Sequence, residues 1–215
     1  MEINQKYKNA ALAALDGNWA PSVVASVVMY ALLYLALGAS LAPSFIPMAN
    51  NMVLGCLGFT YAGLFFIYMP LSVGVSYTFN RLYAEEDNNV TGNLFRDSLD
   101  GYLRNVWGMF LMFIFVFLWS LLFLIPGIIK AYSYAMTPYI LKDYPELSAN
   151  QAINLSRKMM KGHKLDLFIL QLSFIGWGIL TLFTAGIGTL WLMPYMMTTQ
   201  AAFYQDIKND HIINY

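Results

Sequence analysis

Long apolar runs alternate with shorter polar stretches along the whole chain. The apolar runs carry almost no charge and cover residues 22–42, 52–79, 105–125, 126–141, 165–184 and 187–204. A helix of ~20 apolar residues is long enough to cross a hydrocarbon layer ~30 Å thick. The pattern therefore predicts an all-α, polytopic membrane protein with six transmembrane helices arranged as three helical hairpins.

Two of these runs allow a second interpretation. The run over 126–141 would be ~24 Å long at ~1.5 Å per residue, so it is either a short full crossing or a re-entrant half-helix. Pro126-Gly127 predicts the turn that separates it from the run before. The first run ends near Gly38-Ala39-Ser40, which also fits the cleavage region of a signal peptide. Because a long leader precedes this run and a second run follows at once, we interpret it as a transmembrane helix.

The polar stretches show helical periodicity and predict an amphipathic helix before each hairpin. The apolar positions of the first are Leu12, Leu15 and Trp19, and those of the second are Leu94, Phe95, Leu99, Tyr102 and Leu103. In the third, Ser148 and Gln151 have the spacing of a capping box, which precedes an apolar side formed by Ala152, Ile153, Met159 and Met160. We expect these helices to lie at the membrane interface.

The basic residues predict the orientation. One side of the predicted topology holds both termini and eleven of the twelve Lys and Arg residues, namely Lys6, Lys8, Arg81, Arg96, Arg104, Lys142, Arg157, Lys158, Lys161, Lys164 and Lys208. Lys130 is the exception. Basic residues in short connections mark the cytoplasmic side, so the pattern predicts that both termini are cytoplasmic. Lys130 is expected one helical turn from the outer face, where its side chain would reach water by snorkelling.

Weak internal repeats divide the single predicted integral-membrane domain, residues 1–215, into units at approximately 4–87, 91–143 and 148–206. Each unit begins with an amphipathic helix that ends near a glycine, and Lys142-Asp143 aligns with Gln205-Asp206 at the ends of the second and third units. Repeated transmembrane units commonly surround a pseudo-symmetry axis. We therefore expect the three hairpins to pack around one centre.

Several sequence blocks resemble one known family. They are LDGNW near the start, IPGIIKAYSYAMTPYIL in the middle, and LSANQAINLSRKMMKGHK followed by LSFIGWGILTLFTAGIGTLWLMPY. These residues resemble the bacterial membrane proteins grouped as domain of unknown function 975, over nearly the whole chain. The resemblance implies a multi-pass protein of the bacterial cytoplasmic (inner) membrane and implies no defined biochemical role.

Composition and motifs limit the chemistry. The chain is 59% hydrophobic and 11% charged with zero net charge, which does not suit a soluble domain or a nucleic-acid-binding protein. Motifs of zinc peptidases, serine hydrolases and phosphate-binding loops are missing, and one cysteine excludes a disulfide between two cysteines of this chain. Glu85-Glu86-Asp87 is either a solvated charge run or a hard-cation site, and we favour the former. We therefore predict no enzyme activity, catalytic residue, cofactor or metal site.

Two functional hypotheses follow. In the first, a non-enzymatic membrane protein engages membrane lipids through Arg157, Lys158, Lys161 and Lys164, or uses its basic interfacial helices to bind a membrane or cytoplasmic protein partner. The alternative is a permease for a small neutral or amphipathic molecule, with a path lined by Gln171, Thr199 and Gln200. Gln171 and Gln200 also suit hydrogen bonds between packed helices. The oligomeric state is left open.

Small residues within the apolar runs predict sites of close helix packing. The glycines concerned are Gly55, Gly58, Gly63, Gly74, Gly176 and Gly178. Because glycine has no Cβ atom, it lets the backbones of neighbouring membrane helices approach each other.

Overall fold

The computed structural model describes residues 2–45 and 51–213, which form helices and no strand. In chain order the helices are α1 (Glu2–Leu15), α2 (Trp19–Phe45), α3 (Asn51–Ala84), α4 (Val90–Leu99), α5 (Tyr102–Leu122), α6 (Leu124–Tyr134), α7 (Thr137–Asp143), α8 (Ala149–Met159), α9 (Lys164–Leu172), α10 (Ile175–Leu182) and α11 (Thr189–Ile213). The side chains of residues 51–57, including Gly55 and Cys56, lie outside the described part. The all-helical prediction is confirmed.

Three helical segments of the described chain are long and apolar enough to cross a membrane. They are Thr60–Ala84 within α3, Tyr102–Leu122, and Lys164–Leu182, which combines α9 and α10. A fourth is possible if α1 and α2 count as one span, although they meet at an angle of 103°. The structure therefore supports three or four candidate spans where the sequence predicted six.

The predicted turn at Pro126-Gly127 was placed a few residues too late. The break lies at Phe123, whose backbone is extended, and Pro126 and Gly127 both fall within α6. Proline is tolerated there because the first turn of a helix does not need its backbone N–H for hydrogen bonding. The segment over 126–141 is also divided, since α6 ends at Tyr134 and α7 restarts with Pro138 in its first turn.

Helix α8 forms as the sequence predicted. The Ser148 side chain accepts a hydrogen bond from the Gln151 backbone, and the Gln151 side chain accepts one from the Ser148 backbone, so the capping box is confirmed. Its apolar positions, including Ala152, Ile153 and Met159, are buried against the protein. The apolar side of α8 thus packs into the core and does not face lipid.

Helix α4 divides its apolar residues between two environments. Leu94 is fully buried against α3, whereas Phe95, Leu99 and the nearby Leu103 are exposed. The outward apolar surface agrees with an interfacial position for this helix. Asn89 caps its first turn by accepting a hydrogen bond from the Gly92 backbone.

The buried core lies where the polar ends of the helices meet. Tyr139 of α7 stacks on Tyr204 of α11 with ring centroids 4.7 Å apart, and both side chains are fully buried. Helix α1 packs on α11 through an edge-to-face contact between Tyr7 and Phe203. The first and last helices of the described chain are therefore in direct contact.

Close packing at glycine was predicted correctly at only one described position. A Cβ atom on Gly74 would lie 2.8 Å from the Ser98 backbone nitrogen, so α3 and α4 touch there. The prediction was wrong for Gly58, Gly63, Gly176 and Gly178, where a Cβ atom would meet nothing within 4 Å. Two close approaches not predicted from sequence occur at Gly108, against Leu141, and at Gly127, against Ser120.

Candidate functional site

Arg157, Lys158, Lys161 and Lys164, here called the basic cluster, lie at the junction of α8 and α9. The first three side chains are exposed and Lys164 is half-buried. The buried face of α8 holds this helix on the protein and directs the cluster outward. Exposed apolar residues of α9 adjoin it, with Leu165 at 63% exposure followed by Phe168 and Ile169. Cations beside an apolar surface are the combination expected at a lipid headgroup layer.

The cations on the predicted cytoplasmic side fall into two groups. Seven of them contact other parts of the protein, namely Lys6, Lys8, Arg81, Arg96, Arg104, Lys142 and Lys208. In the described part of the chain, no member of the basic cluster makes a hydrogen bond or a salt bridge through its side chain. The one ion pair beside the cluster joins His163 to Asp166, whose atoms lie 3.4 Å apart.

Arg104 is one of the seven cations that contact other groups of the protein. Its guanidinium donates to the backbone carbonyl oxygens of Leu141, Tyr144 and Leu147, at 2.5, 2.7 and 3.1 Å. These bonds satisfy carbonyl groups at the end of α7 that have no partner within the helix.

A buried carboxylate, Asp143, joins α7 to α11. It accepts hydrogen bonds from the Tyr204 hydroxyl at 2.6 Å and from the Lys208 ammonium at 2.5 Å. Its side chain is only 7% exposed. Asp143 had no role assigned from the sequence, although its alignment with Asp206 was a signal that could have identified it.

Asp206, which the predicted repeat aligns with Asp143, also accepts hydrogen bonds from a tyrosine and a lysine. It accepts hydrogen bonds from the Tyr7 hydroxyl at 2.5 Å and the Lys6 ammonium at 2.9 Å, both on α1. Burial acts to raise the pKa of Asp206, but the hydrogen bonds from Tyr7 and Lys6 outweigh it and the pKa is lowered. The two aspartates thus each accept hydrogen bonds from a tyrosine and a lysine of another helix.

The contact between α3 and α4 contains a further buried acid. The Arg81 guanidinium lies 3.4 Å from the Asp97 carboxylate, which is 4% exposed. Burial raises the pKa of Asp97, while Arg81, Lys142 and Arg96 act in the opposite direction. This ion pair holds α4 on the preceding hairpin.

Two residues of the predicted permease path have hydrogen-bond partners within the protein. The Gln171 side chain accepts a hydrogen bond from the Tyr132 hydroxyl at 2.7 Å, and Thr199 donates to the Tyr195 backbone carbonyl within its own helix. Gln200 is half-buried on α11. The bond between Gln171 and Tyr132 corresponds to the helix-packing interpretation.

Lys130 has an aromatic neighbour, and the acidic run is mostly exposed, with Glu85 and Glu86 in contact with solvent. The Lys130 ammonium lies 4.3 Å from the centroid of the Trp119 ring, a cation–π contact that the sequence did not suggest. In the acidic run, Asp87 lies 3.9 Å from Arg81. Hydrogen bonds from Asn93 and from the Asn89 backbone lower the pKa of Asp87. Within residues 2–45 and 51–213, no group of three His, Cys, Asp or Glu side chains is placed to hold a metal ion.

A groove of about 360 Å³, here called the tryptophan groove, opens between α10 and α11. Its walls are Leu12, Trp19, Trp177, Leu180, Thr181, Thr184, Gly188, Trp191, Leu192 and Tyr195. A second apolar groove of about 470 Å³ lies between α2, α3 and α4 and includes Phe95 and Leu99. Gln171, Thr199 and Gln200 line neither groove.

Comparison with protein families agrees with the helical pattern and the sequence resemblance. A family model described as "Protein of unknown function (DUF975)" matches residues 64–211. The chain belongs to the DUF975 family. The match begins within α3, so the LDGNW block lies outside it, and the resemblance is supported over a shorter range than expected. Neither a curated protein nor a solved structure matches the chain.

Proposed function

We propose that the chain is a non-enzymatic integral membrane protein that binds anionic lipid headgroups through the basic cluster. The observation that carries this proposal is a contrast among the cations of the predicted cytoplasmic side. In the described structure, seven of them are held by ion pairs, by hydrogen bonds or by both, whereas the basic cluster has no side-chain hydrogen bond or salt bridge and presents unpaired charge beside an exposed apolar surface. Each such cation near an anionic leaflet contributes about 1 kcal/mol to lipid association.

The proposal includes six crossings, both termini in the cytoplasm, and a location in a bacterial cytoplasmic membrane. The salt bridges support this topology because they join residues predicted on the same side. Lys6 pairs with Asp206, Lys142 with Asp100, and Lys208 with Asp143. These contacts require the two ends of the chain and the connection between them to meet at one polar layer.

The permease alternative has no comparable observation in its favour. Gln171 and Thr199 have hydrogen-bond partners within the protein, and the two apolar grooves offer little to a polar solute. Binding of a protein partner by the basic cluster is a different hypothesis, and the lipid-binding experiment distinguishes it from lipid binding.

The test compares lipid selectivity in vesicles containing the purified full chain. Electron spin resonance of spin-labelled phosphatidylglycerol and phosphatidylcholine measures which lipid associates with the protein. We expect a preference for phosphatidylglycerol that falls at least tenfold after replacement of all four residues of the basic cluster by Gln, since four cations contribute up to roughly 4 kcal/mol.

A charge-retaining variant provides the matched control. Arg157→Lys combined with Lys158→Arg, Lys161→Arg and Lys164→Arg keeps the field and should keep the preference. Unchanged selectivity in the neutralised variant would refute lipid binding by the cluster and would instead favour a protein partner or a purely topological role.

A further inference from the structure

The tryptophan groove is an apolar space that the described chain leaves unfilled. Three of the five tryptophans of the protein line it, and Thr181 and Thr184 are among its few polar residues. The hydroxyl groups of both threonines donate to backbone carbonyls of their own segment. The volume of about 360 Å³ falls in the range of ~300–1,000 Å³ that is typical of small-molecule sites.

The outer surface of the groove faces an apolar environment. Next to the groove on α10, Ile175, Ile179 and Leu182 are exposed at 53%, 53% and 75%. α10 belongs to a segment that is long and apolar enough to cross a membrane. A molecule dissolved in the hydrocarbon layer therefore has direct lateral access to the groove.

Hydrogen-bond donors around the groove lack protein acceptors. In the described structure, neither the indole N–H groups of Trp19, Trp177 and Trp191 nor the hydroxyl of Tyr195 donates to another residue. The rings themselves give the groove an almost wholly apolar wall, which suits a hydrocarbon chain.

Lys8 does not line the groove, but it places a charge next to residues of the groove wall. It lies one helical turn before Leu12, which lines the groove, so both are on the same face of α1. The Lys8 ammonium lies 4.3 Å from the centroid of the Phe174 ring, and Phe174 packs edge-to-face on Tyr195 of the groove.

This ammonium is buried without a counterion. Lys8 is 9% exposed, and its one hydrogen bond is to the Ser173 carbonyl oxygen. No described carboxylate lies within salt-bridge distance of it, and burial lowers its pKa. An unpaired buried charge is costly, so an anion that reached Lys8 would gain a favourable interaction.

We propose that the tryptophan groove binds the chain of a long-chain fatty acid, whose carboxylate pairs with Lys8. A single acyl chain suits one narrow groove, whereas a phospholipid carries two chains. One carboxylate also balances the single unpaired ammonium. The site is separate from the basic cluster, so the two proposals stand or fall independently.

The test uses quenching of tryptophan fluorescence by dibromostearate in the purified full chain. Trp107→Phe and Trp119→Phe remove the two tryptophans on α5, which leaves the three groove tryptophans as reporters. We expect saturable quenching by dibromostearate and weaker binding of its methyl ester, which has no charge for Lys8. Lys8→Gln should lower the affinity for the acid by about tenfold, which corresponds to one charge pair of ~1.4 kcal/mol, and should leave the ester unaffected.

Matched variants separate a binding effect from a folding defect. Lys8→Arg keeps the charge and should keep most of the affinity, and Lys161→Gln, which removes an exposed cation outside the groove, should have no effect. Leu192→Trp, which fills the groove, should prevent binding of both acid and ester.

Three results would overturn the proposal. The acid and the ester could bind the unchanged reporter protein equally, a comparison that needs no Lys8 variant. The Leu192→Trp protein could bind both ligands normally. Unbrominated phosphatidylglycerol could displace dibromostearate as well as stearate does, which would make a two-chain lipid the occupant.

Discussion

The buried acid Asp143 provides the sharpest stability prediction. Asp143→Ala removes the acceptor of both the Tyr204 hydroxyl and the Lys208 ammonium. Breaking a buried ion pair from one side costs ~3–5 kcal/mol, and the lower end applies because Lys208 is 24% exposed and can regain water. With ~2–4 °C of Tm per kcal/mol for a chain of this size, a loss of about 3 kcal/mol corresponds to ~6–12 °C.

Asp100→Ala is the matched control for this measurement. Asp100 also pairs with a lysine, but its side chain is 77% exposed, and Lys142 would keep its hydrogen bond to the Asp100 backbone carbonyl. The Lys142 side chain is only 6% exposed, but the Asp100 carboxylate faces solvent and Lys142 keeps its backbone acceptor, so a smaller shift than for Asp143→Ala is expected. Thermal unfolding in detergent, followed by near-ultraviolet circular dichroism, measures both variants.

A double-mutant cycle isolates the ion pair itself. The combination of Lys208→Met with Asp143→Ala should destabilise the protein less than the sum of the two single changes. Each single change leaves one charge of the pair without its partner, whereas the double change removes both charges. Equal Tm shifts for Asp143→Ala and Asp100→Ala, or strict additivity in the cycle, would refute the assignment of Asp143 as a buried anchor.

Two further predictions concern helix contacts. Because the pKa of Asp206 is lowered, the contribution of Asp206 to α1 docking is complete above its unfolded-state pKa near 3.8 and is lost as the pH falls through the lower folded-state pKa. Asp206→Asn should therefore accelerate hydrogen exchange of the α1 amides at pH 6. In strong acid the variant and the unmodified protein should exchange alike. Gly74→Ala should lower the free energy of unfolding by ~1–3 kcal/mol, because the added Cβ would press on the Ser98 backbone. Gly63→Ala on the same helix should be neutral or stabilising by up to ~1 kcal/mol. Equal Tm values for the two variants would contradict the close contact between α3 and α4.

Local signals were sufficient to predict part of this fold. The capping box of Ser148 and Gln151 fixes the start of α8 through bonds between residues three positions apart. The turn between α10 and α11 is equally local, since Ala185 and Gly186 have φ angles of 49° and 86°. Both features depend on interactions within a few residues.

Contacts between distant residues were beyond sequence reasoning. Arg104 was interpreted only as a topology signal, but it binds three carbonyl groups more than thirty-five residues away. The role of Asp143 could not be predicted from the sequence, because Tyr204 and Lys208 approach it only after α7 and α11 pack. The glycine predictions failed for the same reason: a glycine shows where a close approach is allowed, and the partner helix decides whether it occurs.

The contact between α1 and α11 has a consequence for synthesis in the cell. Tyr7 and Lys6 are made about two hundred residues before their acceptor, Asp206. Helix α1 therefore waits without this packing surface until α11 has left the ribosome. The wall of the tryptophan groove that contains Leu12 is completed at the same moment, so a truncated chain lacks both the closed fold and the groove.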